Sequence, residues 1–156
     1  PPFLPLLREE SLPEALTPDP PSESSEEPKR EELLGKARNL ANRGKYQEAL
    51  EILEKFRRKN PTDPFSAYLC GLIHAETGEE GLAAETLRQV LFLEPNFIMA
   101  HYTLGTLALK RGNSQEASRH FRNAVELAAS LPSGTLLFEG EGLSREDLLQ
   151  VLEKNE

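Results

Sequence analysis

One spelling recurs in this chain at a fixed step of 34 residues. Gly44, Gly78 and Gly112 keep that step, as do Ala49, Ala83 and Ala117, and the small residues Ala37, Gly71 and Gly105. Leu53, Leu87 and Phe121 supply a bulky residue at another shared position, and Pro61 and Pro95 recur where the third copy has Ala129. A period of this length marks stacked copies of one supersecondary unit, each too small to bury its own apolar face. Such a chain is bound to an elongated array with an open surface along it.

Each copy reads as two helices. In the middle copy residues 64–77 form a first helix, which Gly78 ends because glycine adopts the left-handed conformation that terminates helices. Residues 81–93 form the second, and Pro95 stops it because proline cannot continue the ladder. Gly71 and Ala83 are small where antiparallel helices cross closely, and Leu87 fills the space beside them. The first copy carries Leu33, Ala37, Leu40, Gly44, Tyr46, Ala49, Leu53, Phe56 and Pro61 in register, and the third carries Leu104, Gly105, Ala108, Gly112, Ala117, Phe121 and Ala124. This pattern resembles the tetratricopeptide repeat. The resemblance covers roughly residues 30–131 and departs from the family in lacking Trp, in placing His101 where an aromatic is common, and in having Ala129 for the last proline. It implies an all-α fold: three stacked helical hairpins (30–63, 64–97, 98–131) wound into a right-handed α-solenoid.

The ends are different material. Residues 1–29 hold eight of the twelve prolines with several serines and acids, the composition of a flexible Pro-rich arm or linker. Pro1 is not an initiator methionine, so the chain reads as part of a longer or processed product. Residues 3–7 are too short and proline-broken for a signal peptide, and no apolar run approaches a membrane span. In residues 132–156, Ser144-Arg145-Glu146-Asp147 opens a helix with a capping box, and Leu148, Leu149 and Leu152 form an apolar stripe behind it. This predicts the C-terminal capping helix that repeat arrays need over their last open face. The loop before it, with Leu136, Leu137 and Phe138, is expected to tuck against the array.

Of the net charge of −8, the two ends contribute −4 each, while residues 31–131 balance thirteen acids against thirteen bases. A nucleic-acid partner needs a basic face, and the only basic cluster, Lys55, Arg57, Arg58 and Lys59, closes a helix where cations suit the dipole. The lone Cys70 sits on a buried stripe and reads as an inert core thiol in a reducing, cytoplasmic compartment. His74 and His101 are placed near one another on neighbouring helices without a third ligand in register, so no metal site is expected. Neither a phosphate loop nor a nucleophile elbow is present, and these residues read as non-catalytic.

What remains is a binding surface. Residues 65–75 and 97–109 contain no Asp, Glu, Lys or Arg, although a surface helix normally keeps a charged face. In the family the first helix of each hairpin lines the concave side. The resemblance therefore assigns a peptide groove to Phe65, Tyr68 and Leu72 of the second repeat and to Met99, Tyr102, Thr106, Leu109 and Lys110 of the third. Arg38 is the contribution of the more polar first repeat, beside Leu34 and Ala41. Some members clamp a C-terminal carboxylate at positions that here hold Leu34, Arg38, Leu69, Met99 and Thr103. Four of the five lack the cation or amide required, so a carboxylate clamp is not expected. The expected occupant is an apolar or helical peptide, unless the chain's own arm or C-terminal helix seals the groove.

A narrower resemblance lies in the third repeat and tail. Ala100-His101-Tyr102-Thr103-Leu104-Gly105 and Arg119-His120-Phe121-Arg122-Asn123-Ala124 lead into Leu131-Pro132-Ser133 and Glu139-Gly140-Glu141-Gly142-Leu143-Ser144. This run is similar to the C-terminal extension of bacterial chemotaxis receptor methyltransferases of the CheR type. The resemblance implies an S-adenosylmethionine-dependent domain upstream of Pro1 that methylates receptor glutamates, with no cofactor in the residues at hand. The array would then be a monomeric regulatory or targeting module whose partner is a chemoreceptor, a signalling protein or its own upstream domain. The alternative is a free-standing adaptor or assembly chaperone without an attached enzyme.

Overall fold

Three glycines set the geometry of the chain. In the computed structural model, which describes residues 21–135, 137 and 144–154, Gly44, Gly78 and Gly112 take φ of +80°, +87° and +81°. Only a residue without a β-carbon holds this left-handed conformation without strain. After each glycine the next backbone N–H turns back onto the last helical turn: Lys45 donates to the Leu40 carbonyl at 2.8 Å, Glu79 to His74 at 2.9 Å, and Asn113 to Ala108 at 2.9 Å. These bonds satisfy carbonyls that a helix end leaves orphaned. The repeated turn produces three antiparallel pairs.

The helices are α1 (Pro21–Asn42), α2 (Tyr46–Lys59), α3 (Pro64–Glu76), α4 (Glu80–Leu93), α5 (Ile98–Lys110), α6 (Ser114–Ala129) and α7 (Arg145–Lys154). The described residues contain no strand; the fold is all-α, an α-solenoid of three hairpins with a closing helix. Within hairpins α1 packs on α2, α3 on α4 and α5 on α6; between them α2 meets α3 and α4 meets α5. Helix α1 begins at Pro21, nine residues before the expected start of the first repeat. Proline suits a helix start, where its missing N–H has no partner to lose. Residues 1–20 of the expected arm lie outside the described residues.

The 34-residue step is visible in the core. Ala49, Ala83 and Ala117 are buried at 0–1% exposure, and Leu53 and Leu87 at 0%. Burying each such leucine contributes about 1.5–3 kcal/mol. A β-carbon on Gly71 would stand 2.9 Å from Leu87 Cδ2, so the helices cross there as closely as glycine permits. The buried residues form two clusters, one around α1, α2 and one edge of α3, the other running from α3 to α7. Helix α3 supplies both, through Leu69, Cys70 and Ile73 to the first and Ala67 and Tyr68 to the second. At the same junction Arg30 of α1 pairs with Asp63 at 2.9 Å, and Asp63 caps α3 by accepting from the Phe65 N–H at 3.4 Å.

The C-terminal helix follows its predicted cap. Ser144 Oγ accepts from the Asp147 N–H at 3.2 Å, and Asp147 Oδ2 accepts from the Ser144 N–H at 3.1 Å, a reciprocal capping box. Leu148 and Leu152 are buried at 0% and 1%, and Leu137 from the preceding loop joins them in the core. Glu146 ties the helix back to that loop, accepting from Ser133 Oγ and the Gly134 N–H, each at 3.0 Å. Leu136 and Phe138, expected to tuck in beside Leu137, lie outside the described residues.

Candidate functional site: a groove along the first helices

The first helices of the three hairpins, α1, α3 and α5, line a groove of about 480 Å³, within the roughly 300–1,000 Å³ typical of ligand pockets. Its floor is apolar: Ala37 and Ala41 from α1, Leu69, Leu72, Ile73 and Ala75 from α3, and Leu107 from α5. Tyr46 reaches it from the start of α2. Thr103 and Thr106 stand on the α5 wall, but their hydroxyls donate to the carbonyls of Met99 at 2.8 Å and Tyr102 at 3.0 Å. Their donors are thus spent on their own helix, while the hydroxyl oxygens can still accept. Apart from the hydroxyls of Tyr46, Thr103 and Thr106, the polar lining residues are Arg38, Asn42, Glu76 and Lys110 toward the ends of the helices. Lys110 lies 3.7 Å from Glu80 of α4, a solvated contact of small energetic weight.

The groove gathers only part of the expected set. Arg38, Leu72, Thr106 and Lys110 line it. Tyr68 does not: it is 2% exposed and stacks on Phe97, with ring centroids 4.8 Å apart. Met99 is buried in the same cluster. Both residues are therefore core, and the physical reason is that α3 and α5 are enclosed by neighbouring helices where the sequence pattern suggested an open stripe. Phe65 is half-buried, 5.8 Å from the Phe97 ring and 4.8 Å beneath the Arg30 guanidinium. Tyr102 is half-buried against Phe121 at 6.1 Å, and Leu109 is exposed and outside the groove lining.

The charge-free stretches have the same explanation. Seven residues of α3 are buried, and so are seven of α5. Helix α3 touches α1, α2, α4 and α5. Packing between hairpins accounts for most of the missing charge.

Asn42, Ala75 and Glu76, which the sequence reading did not assign to the groove, share one signal with Ala41, which it did. Asn42 and Glu76 occupy the repeat position of Lys110, and Ala41 and Ala75 that of Leu109. All four line the groove, which opens at the C-terminal ends of the first helices, just before the turn glycines. The period itself would have found them. At the five carboxylate-clamp positions Leu34, Leu69 and Met99 are buried and the Thr103 hydroxyl is committed to Met99, which leaves Arg38 as the one cation. The groove does not present a clamp.

Cys70, His101, His120 and Glu146, outside the groove lining, have displaced titrations. Burial pushes the Cys70 thiol up despite Arg57 nearby, which suits an inert core thiol. His101 pairs with His120, ring centroids 5.8 Å apart, rather than with His74 as its placement in the sequence suggested. Among the described residues no group of three or more His, Cys, Asp and Glu side chains could hold a metal ion.

Residues 26–124 match the family described as anaphase-promoting complex, cyclosome, subunit 3, an array of tetratricopeptide type. The chain belongs to that family. Like other tetratricopeptide arrays it is a protein-interaction module. It is 32% identical over 93 residues to the photosystem I assembly protein Ycf3 of Synechococcus elongatus, a match covering 53% of this chain. The chain spans about half the length (54%) of the curated relatives it matches first. Among solved structures it is similar to the type III secretion chaperone SycD of Yersinia enterocolitica in complex with a peptide of the translocator YopD. That match has a TM-score of 0.64 and 20% identity, over 82% of this chain and 95% of that one. It is also similar to PcrH in complex with the chaperone binding region of PopD, with a TM-score of 0.66, 19% identity, and 83% and 94% coverage. At such identities the structural likeness establishes the shared fold. No described helix is long and apolar enough to cross a membrane.

Proposed function

We propose that this array is an adaptor or assembly chaperone that holds an apolar segment of a client protein in the groove between α1, α3 and α5. The carrying observation is the groove itself: an apolar floor with hydroxyls on its walls and charge only at its rim. Such a floor rewards burial of apolar side chains, and polar ones find partners only on its walls and rim. The names of the relatives support the same reading, since one is an assembly protein and two are chaperones solved with a client segment. The test is a titration of the chain with apolar helical and extended client-type peptides, read by fluorescence anisotropy. Thr106→Trp fills the groove from an exposed wall position, so it should weaken binding at least about tenfold, or about 1.4 kcal/mol. A peptide that binds the variant and the parent chain equally does not use this groove.

A second reading, a targeting module of a receptor methyltransferase, rests on the sequence resemblance of residues 139–144 alone, of which only Ser144 lies among the described residues. The relatives named above are assembly and chaperone proteins, which favours the first reading. Coding sequence upstream of Pro1 decides between them: a methyltransferase domain there restores the second.

A further inference from the structure

We propose that the C-terminal ends of α2 and α4, centred on Phe92, form a second docking surface. Its occupant is an acidic segment of another protein that also carries large apolar side chains. The surface stands apart from the groove, whose lining includes no residue of α4 and nothing of α2 beyond Tyr46. It does not rest on the reading of that groove.

The ring of Phe92 is 87% exposed, whereas the other exposed large apolar side chains among the described residues, Leu82 and Leu109, stand at 43% and 44%. A half-covered leucine on a surface is ordinary. A phenylalanine left almost wholly in water forgoes about 1.5–3 kcal/mol of burial. The fold does not call for it there: Val90 and Leu91, just before it, already turn α4 toward the core.

The repeat register makes the same point. One step of 34 residues before and after Phe92 stand Arg58 and Glu126, both exposed charges. The position faces water in every copy, and only the middle copy puts an aromatic ring there.

What borders the ring selects the partner. Arg57 of α2 reaches across to α4 and donates to Gln89 Oε1 at 3.2 Å. Gln89 lies three residues before Phe92 on the same face of α4, so the basic end of α2 flanks the ring. The last turn of α2 holds Arg57, Arg58 and Lys59, the latter two exposed. The acid nearest the ring in sequence, Glu94, already accepts the Asn96 N–H at 3.3 Å, and Arg88 of α4 is paired with Glu116 at 3.4 Å. Cations at a helix C-terminus suit the dipole, which accounts for the charge and leaves the ring unaccounted for. Together they make an aromatic anchor with a cationic border, complementary to a segment that combines carboxylates with apolar side chains. A single-stranded nucleic acid fits less well, since it asks for a longer basic track and more than one stacking ring.

The experiment titrates the full chain with a short labelled peptide of alternating glutamate and leucine, read by fluorescence anisotropy. Control peptides alternate glutamate with serine and lysine with leucine. The glutamate–leucine peptide should bind, and Phe92→Ser should weaken it at least about tenfold, or about 1.4 kcal/mol. Arg58→Gln with Lys59→Gln should weaken it as well. That loss should be larger at about 0.01 M than at about 0.15 M ionic strength, where the screening length falls from about 30 to about 8 Å. These positions are exposed, so the melting temperature should hold in both variants. Neither control peptide should compete, and Thr106→Trp should leave the affinity unchanged. No binding, or equal binding to the parent chain and Phe92→Ser, would overturn the proposal. So would a glutamate–serine peptide that binds as well, which would reduce the surface to charge alone. Binding lost with Thr106→Trp and kept with Phe92→Ser would place the peptide in the groove, removing this surface and leaving the client reading intact. Single-stranded oligothymidylate that binds more tightly than the peptide, and is lost with Phe92→Ser, would overturn the proposal in favour of a nucleic acid.

Discussion

The ring of Phe121 lies against Gly105 so closely that a β-carbon on the glycine would stand 2.5 Å from Cε1 and 2.7 Å from Cδ1. The equivalent pair one repeat earlier, Gly71 and Leu87, leaves 2.9 Å to a branched aliphatic end. A leucine tip can turn aside, whereas a ring held between two helices has to move bodily. Gly105→Ala should therefore destabilise the chain by about 2–3 kcal/mol, and Gly71→Ala by about 1–2 kcal/mol. Urea melts of the two variants check the order. Equal costs would mean that the ring yields as easily as the leucine.

Tyr68 separates core from groove. Its burial at 2% and its stacking on Phe97 place it in the interior, so Tyr68→Ala should cost about 3–5 kcal/mol. Thr106→Ala, at an exposed groove position, should stay within about 0.5 kcal/mol. Thermal melts distinguish the two. A Tyr68→Ala variant that melts with the parent chain and loses partner binding would restore the tyrosine to the groove.

The seam between the second and third hairpins carries a pH dependence. His101 Nε2 lies 3.1 Å from the Pro95 carbonyl, to which its N–H donates, and the Nδ1 atoms of His101 and His120 are buried without a hydrogen-bond partner. Burial lowers the pKa of both imidazoles from 6.5, and the nearby His101 lowers His120 further. Around His120, Glu116 opposes this shift, while Arg119 of α6 and Arg88 of α4 add to it. The unfolded chain then binds more protons than the folded chain between its ordinary histidine pKa and the lowered ones. The stability tied to the neutral rings is fully present above about pH 6.5 and declines as pH falls toward the folded values. The melting temperature should drop between pH 7.5 and 5.5, less steeply in His101→Gln/His120→Gln. Parallel profiles for the two proteins would assign the slope to other groups.

Ser144 holds the last helix in place through its reciprocal bonds with Asp147. Ser144→Ala should cost about 1 kcal/mol, concentrated in α7, so amides of α7 should exchange faster while those of α3 and α4 keep their protection. Uniformly faster exchange would show that α7 opens only with the whole array.

The 34-residue step made the architecture legible. Gly44, Gly78 and Gly112 marked every hairpin turn, and the Ser144-to-Asp147 spelling marked the start of α7, because these are local requirements of backbone conformation and capping. The start of α1 was less legible. Prolines and acids at residues 21–29 read as linker by composition, yet Pro21 and the residues after it continue a helix whose later turns are packed.

The groove was half legible. The repeat register put Arg38, Leu72, Thr106 and Lys110 on the inward side, and all four line the groove, since side-chain direction on a helix follows from its spacing. It misjudged Tyr68 and Met99. Whether a residue at a groove-side position stays open depends on how near the adjacent hairpin approaches, and that distance is set by packing between repeats. The sequence alone therefore determined the hairpins, their turns and their cap, all of which are local. Tertiary structure decided which inward side chains became core and which were left as floor, because burial is a property of the neighbours a helix acquires.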